Sequence, residues 1–226
     1  GTLALGNGSG ICVWEADEGV VIGGSAAGAS NVISGNHNVG ILLGRLTQGA
    51  VVQGNLIGLA ADGQTELANR NGGIEVTQSA QVQIGTDGDG VNDAAEGNVI
   101  VAPGAAAVAI ASSSDTVVAG NRLGTNAGGT VALGLGVGVS LNPGTVGVRV
   151  GGVAANAGNL IVGATGVGIH VADGSTGNAL LGNRIVSSAA QAIDLGGDGI
   201  TANDPLDADT GANDRQNFPV VAHVLA

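Results

Sequence analysis

Three groups of side chains in this sequence could do chemistry. The stretch Asp-Gly-Asp-Gly-Val-Asn-Asp contributes Asp87, Asp89 and Asp93, with Glu96 just beyond, and a terminal stretch contributes Asp194, Asp198, Asp204, Asp207, Asp209 and Asp214. Together they hold ten of the 18 acidic residues. Calcium takes six to eight oxygen ligands, and carboxylates alternating with Gly and Asn let a loop wrap tightly around such an ion. Asp204, Asp207, Asp209 and Asp214 are therefore one expected calcium set, and Asp87, Asp89 and Asp93 another. Neither stretch is a complete EF-hand loop, because the bidentate Glu at its twelfth position is missing. The competing reading is a pair of solvated acidic loops. The third group is His170 with Asp194, joined by Arg149 and Arg184. A His beside a carboxylate can act as general acid or base, but these residues meet only if the fold brings distant segments together.

A periodic pattern supplies that fold. Asn31, Asn55, Asn98, Asn121, Asn159 and Asn183 each open a short aliphatic strand, at spacings of 24, 43, 23, 38 and 24 residues. A turn of roughly 23 residues, alternately plain and enlarged by an insertion, is the signature of a solenoid. Two further columns run in register with the asparagines. The first holds Ile11–Val13, Ile41–Leu43, Ile74–Val76, Val108–Ile110, Val139–Leu141, Ile169–Val171 and Ile193–Leu195. The second holds Val20–Ile22, Val51–Gln53, Val82–Ile84, Val117–Ala119, Val148–Val150 and Ala179–Leu181. Each rung thus carries three short strands, giving six full rungs and a partial seventh. Odd rungs take their extra residues before the Asn and even rungs after it, so the repeat is a pair of rungs beginning near Thr2, Thr65 and Thr130.

Alternation along a strand sends one residue outward between two inward ones. In the first column the outward residues are Cys12, Leu42, Glu75, Ala109, Ser140, His170 and Asp194. Stacked rungs lie about 4.8 Å apart, so His170 is expected next to Asp194. The opposing reading is that polar residues simply occupy solvent-facing places. In the Asn column the outward residues are Val32, Leu56, Val99, Arg122, Leu160 and Arg184. Four of these six are aliphatic, so a long loop, another domain or another chain is expected to cover them.

Composition agrees with a narrow coil. There are 44 Gly, and hydrophobic residues make up 44% of the chain while aromatic residues make up only 1%, so Val, Ile, Leu and Ala must fill the interior. A net charge of −12 disfavours nucleic acid and anionic lipid, whose affinity comes from clustered positive charge. Cys12 has no second cysteine to pair with inside the chain. No run of 18 apolar residues occurs, so no membrane insertion is expected. Residues 1–226 read as one elongated domain with an acidic terminal loop at 196–219. Neither end supplies an obvious cap, and the stretch reads as a segment of a longer protein.

The phrases NVISGN at Asn31–Asn36, VVQGNLIG at Val51–Gly58, IGTDGDGVNDAAEGNVI at Ile84–Ile100 and the terminal IDLGGDGITANDPLDADTGANDRQNFPV resemble the right-handed parallel β-helix repeats of large bacterial secreted and cell-surface proteins. The resemblance covers essentially the whole chain and implies an all-β fold of the pectate-lyase-like superfamily. That superfamily includes polysaccharide lyases, glycoside hydrolases and epimerases beside adhesins and stalks. The sequence lacks the GHG and RIK motifs of the pectin hydrolases and the Lys used by many lyases. Trp14 and Phe218 are its only rings, neither near the His170 column, so an aromatic platform for sugar is missing. The expected role is therefore a stalk, spacer or adhesive surface of an extracellular or cell-surface protein. Calcium would stabilise it, and its partners would be flanking domains of the same chain, carbohydrate or another protein. A polysaccharide-active enzyme or carbohydrate-binding module is the alternative. Ice binding would need a regular outward row of Thr, and the outward columns are mixed.

Overall fold

The computed structural model describes residues 5–17, 19–208 and 210–217. It is an all-β parallel solenoid with three sheets and little helix. The first sheet stacks seven strands in chain order: Ile11–Trp14, Ile41–Gly44, Ile74–Thr77, Ala102–Ala111, Leu135–Leu141, Ile169–Val171 and Ile193–Leu195. The second sheet holds Val21–Gly23, Val51–Gln53, Gln83–Gly85, Val117–Ala119, Arg149–Gly151 and Ala179–Leu181. The third holds Val32–Ile33, Leu56–Ile57, Val99–Ile100, Arg122–Leu123, Leu160–Val162 and Arg184–Val186. Only the first sheet reaches seven strands and the other two hold six each, so the count of complete turns is slightly below the six full rungs and partial seventh expected.

Every strand pair is parallel. The first sheet keeps the anticipated register, with Cys12, Leu42, Glu75, Ala109, Ser140, His170 and Asp194 as successive partners. The third sheet keeps its register too, from Val32 through Leu56, Val99, Arg122 and Leu160 to Arg184. The second sheet does not. Val21 rather than Val20 pairs with Val51, Gln83 rather than Val82 sits between Val51 and Val117, and Arg149 rather than Val148 follows. A slip of one residue exchanges faces, and here it keeps Ile22, Val52, Ile84, Val118 and Val150 inside. Val82 and Val148 are also buried, one step before the strand. The core is therefore wider at this corner than three-residue strands imply.

The six asparagines form one hydrogen-bonded row. In each step the backbone N–H and the side-chain Nδ2 of one asparagine donate to Oδ1 of the next. From Asn55 to Asn98, from Asn98 to Asn121 and from Asn121 to Asn159 every such distance is 3.0 Å. The outer steps, Asn31 to Asn55 and Asn159 to Asn183, follow the same scheme. The remaining Nδ2 hydrogen goes to a second-sheet carbonyl, for example from Asn98 to Val52 at 2.8 Å. A shorter row of the same kind runs through Asn7, Asn36 and Asn69. Between the first and second strands a buried hydroxyl stack, Thr47, Ser79, Ser113, Thr145 and Ser175, fills another corner. Its hydroxyls donate to local carbonyls such as Gly44, Thr77, Ala111 and Asn142.

The two long loops of the even rungs cover much of the aliphatic strip on the third sheet. Leu56 and Val99 pack with Leu59, Val101, Ala127 and Leu133, and the loops bond to each other through Ala127 N to Gly63 O at 2.8 Å and Asn126 Nδ2 to Gln64 Oε1 at 2.6 Å. Val32, in the first rung, stays exposed. Asp62 holds the first of these loops in shape, accepting from Gln64 N, Thr65 N and the Thr65 hydroxyl. The Thr65 amide first, then the Thr65 hydroxyl and the Gln64 amide, lower the Asp62 pKa from 3.8 to about 2.

Two predictions follow from these bonds. Asn98→Ala leaves Asn55 without its acceptor and Val52 O without its donor in a buried site, and should cost about 3 kcal/mol in chemical denaturation. Asn31→Ala, at the exposed end of the row, should cost less than about 1 kcal/mol; equal losses would show that the row does not hold the coil together. The depressed pKa of Asp62 gives stability that is present above its unfolded value near 4 and is lost as pH falls through about 2. The gap in melting temperature between the native chain and Asp62→Ala should be constant above about pH 5 and close toward pH 2. A gap independent of pH would remove the loop-locking role of this carboxylate.

Candidate functional site

The outward face of the first sheet brings Ser140, His170 and Asp194 into consecutive register. The strands here read Ser140 between Val139 and Leu141, and His170 between Ile169 and Val171, so the buried flanking aliphatics force the polar residue outward. His170 Nδ1 lies 3.4 Å from Ser140 Oγ, which is itself 3.1 Å from the amide oxygen Asn142 Oδ1. The single serine hydrogen goes either to this amide or to the imidazole, and the tautomer of His170 decides which of the two is the donor in their contact. Asp194 is 6% exposed, and its Oδ1 has no hydrogen-bond partner among the described residues. The ion pairs among the described residues belong to Arg215, with Asp198 at 2.9 Å and Asp173 at 3.5 Å, and none joins His170 to Asp194.

The two arginines lie elsewhere. Arg149 is on the second sheet, where Nη1 donates to Gly151 O at 2.6 Å, and it lines a cavity of about 280 Å³ with Thr86, Asp87, Gly88 and Gly152. Arg184 is exposed on the third sheet beside Leu160. His170 with Asp194, Arg149 and Arg184 therefore occupy three different faces of the coil, and no single substrate atom is within reach of all four.

Of the acidic sets, Asp87, Asp89 and Asp93 converge: one ligand oxygen from each lies within 4.8 Å of the others. The loop is shaped by its own carboxylates. Asp87 Oδ1 accepts from Asp89 N, Asp89 Oδ1 from Val91 N, and Asp93 Oδ1 from Gly90 N. Glu96 Oε2 accepts from Asp87 N at 3.2 Å, and Glu96 and Asp93 are both buried within a single helical turn, Asp93–Glu96.

The terminal set is used differently. Asp204 and Asp207 hold Asn217: Asp204 N donates to Asn217 Oδ1, Asn217 Nδ2 donates to Asp204 O, and Asn217 N donates to Asp207 Oδ1 at 2.8 Å. Asp214 sits in the 3-10 turn Ala212–Arg215, and Asp209 lies outside the described residues. The four do not form a described ligand cluster. Instead the segment folds back on the last rung. Ala212 is fully buried in the core, Ala212 N donates to Asp173 Oδ1, and Asn213 exchanges bonds with the backbone of Asn178. This cover for the coil end was not apparent in the sequence, because an acidic stretch reads as solvated. Arg215, a lone cation among these carboxylates, was its one available sign.

Trp14 is 48% exposed with the Arg45 guanidinium 5.3 Å from its ring centroid, and it packs against Gly44 rather than near His170. Phe218 lies outside the described residues. Comparison with protein-family models, curated proteins and solved structures found no match.

Proposed function

We propose that this chain is a structural and interaction module, a stalk, spacer or adhesive surface of a secreted or surface-anchored bacterial protein with the pectate-lyase-like superfold. The observation that carries this reading is the contrast between an internally satisfied body and dispersed outward chemistry. The asparagine row, the hydroxyl stack and three parallel sheets satisfy the interior from rung to rung, while His170 with Asp194, Arg149 and Arg184 point from separate faces. Such a body holds its ends apart at a fixed distance, which suits a spacer between flanking domains of the same chain or a surface for carbohydrate or another protein.

Calcium fits the loop at Asp87, Asp89 and Asp93. Three carboxylates supply hard oxygen ligands, buried Asp93 raises the cost of leaving their mutual repulsion uncompensated, and a bound ion would neutralise it. An ion that binds only the folded chain raises stability by mass action. Millimolar calcium should raise the melting temperature, chelator should reverse this, and Asp87→Asn with Asp93→Asn should abolish the response. Superimposable melting curves with and without calcium would leave a solvated loop.

The stacking of Ser140, His170 and Asp194 favours the second reading, a polysaccharide-active enzyme. The module reading expects no cleavage of pectin, alginate or other uronate polymers between about pH 5 and 9, the range in which a His or carboxylate general acid-base would work. Cleavage that is lost in His170→Ala at unchanged melting temperature would replace the structural role with general acid-base chemistry.

A further inference from the structure

At the corner between the first and second sheets the backbone and the sequence disagree. The buried hydroxyl stack runs there through Thr47, Ser79, Ser113, Thr145 and Ser175, one member per rung. The residue just before each member, and the residue two beyond it, has positive φ. Glycine suits both places, because a Cβ in this region crowds the following carbonyl oxygen. The fifth and sixth rungs use it throughout, as Gly144, Gly147, Gly174 and Gly177. The third and fourth rungs use none: Gln78 (φ 50°) and Gln81 (φ 56°) are followed by Ser112 (φ 48°) and Asp115 (φ 52°). In the second rung Leu46 (φ 67°) takes the first place and Gly49 the second.

Nothing among the described residues offsets this strain. Gln78, Gln81, Ser112 and Asp115 are exposed, and their side chains make no hydrogen bond among the described residues. Leu46 is apolar and 67% exposed. Crowding by neighbours does not explain the contrast with glycine either. A Cβ added at Gly174 or Gly177 would make only ordinary contact, so glycine there answers to the backbone angle alone. A costly backbone angle that the fold meets more easily elsewhere points to a use for the side chain.

The retained side chains converge on a groove of about 330 Å³. Leu46, Gln78 and Ser112 line it on successive rungs, joined by Gln48 and Ser114, and no charged residue is in the lining. Each carboxamide offers donors and an acceptor, and each hydroxyl plays both roles. A sugar needs such partners, because every hydroxyl it carries is donor and acceptor at once, while its C–H face packs on an aliphatic side chain. An acidic polymer would find no cation in this lining. An extended peptide would find no free strand edge, since the corner backbone is bonded from rung to rung, Leu46 N to Gln78 O, Gln78 N to Ala111 O and Ser112 N to Pro143 O. We propose, on the reading of the chain as an interaction module, that this corner binds a neutral oligosaccharide. Gln48, Gln78, Ser112 and Ser114 bond to its hydroxyls, and Leu46 packs on a ring face.

Calorimetric titration of the full chain with cellohexaose, mannohexaose and hexa-N-acetylchitohexaose tests this. At least one should bind saturably at millimolar concentration, and hexagalacturonate should bind at least about ten-fold more weakly. The double variant Gln78→Gly, Ser112→Gly gives the backbone the residue its angles favour. Its melting temperature should rise by about 2 to 4 °C, while its affinity for the sugar falls at least about ten-fold. No saturable binding of any neutral hexaose, or a variant that binds as the native chain does, overturns the proposal. So does a variant that melts lower, since the two side chains would then serve the fold. Chromatography of the sugar after incubation keeps the two readings apart. Intact sugar left unbound removes only this site, whereas sugar shortened by the native chain and not by His170→Ala removes the module reading itself.

Discussion

The whole coil depends on a buried carboxamide that repeats once per rung. An asparagine side chain offers one acceptor oxygen and two donor hydrogens, and here all are used: Oδ1 takes two hydrogens from the rung before, and Nδ2 gives one to the rung after and one to a neighbouring carbonyl. Because the corner is buried, any displacement of one rung against the next would strip several polar groups of partners without water to replace them. The row therefore sets the alignment of rungs at this corner, and the aliphatic strands on either side follow.

Alignment in turn limits which residues the interior accepts. Each rung meets nearly the same side chain above and below, so Ile41, Ile74, Val108, Val139 and Ile169 form one column, and Val52, Ile84, Val118 and Val150 another. Glycine allows the close approaches at the corners. An added Cβ at Gly23 would meet Gln53 O and the Asn55 carboxamide, and at Gly85 it would meet Ala119 O and the Asn121 carboxamide, both with positive φ. Insertions are tolerated only where the coil already bends outward, and so the long loops emerge at corners rather than within strands. There they serve as cover: the loops around Gly63 and Ala127 shield the aliphatic side chains that the third sheet turns outward.

The first and third sheets were legible because each has a marker that fixes its phase, a small residue (Gly, or Ala107 and Ala192) before the column strand or the Asn itself. The second was legible in three of its six strands, Val51–Gln53, Val117–Ala119 and Ala179–Leu181. Phase was lost by one position at the other three, where an aliphatic residue just before the strand, Val20, Val82 or Val148, also packs on the core and reads as the strand's first inward residue. The hydroxyl stack from Thr47 to Ser175 was invisible for a related reason, since Ser and Thr are ordinary in turns and only the third dimension shows them buried in line. Candidate site residues fared according to what placed them. His170 beside Asp194 rested on column register. Arg149 and Arg184 rested on their place in neighbouring strands, and in a three-sided coil those strands belong to other sheets and turn their outward side chains onto other faces. The Asp87, Asp89 and Asp93 convergence was readable from local spacing, whereas the terminal acids were diverted by Asn217 and Arg215, partners that nothing in their own spacing announced.

The asparagine row also has a direction. At every step the earlier residue gives hydrogens and the later one receives them. The two ends of the row are thus chemically unlike, one rich in acceptors and the other in donors, and every internal junction is the same junction. A chain that lost or duplicated a complete pair of rungs would rejoin donor to acceptor without a mismatched bond. Length in this architecture is consequently a quantity that can be changed by whole repeats while the chemistry of each contact stays constant.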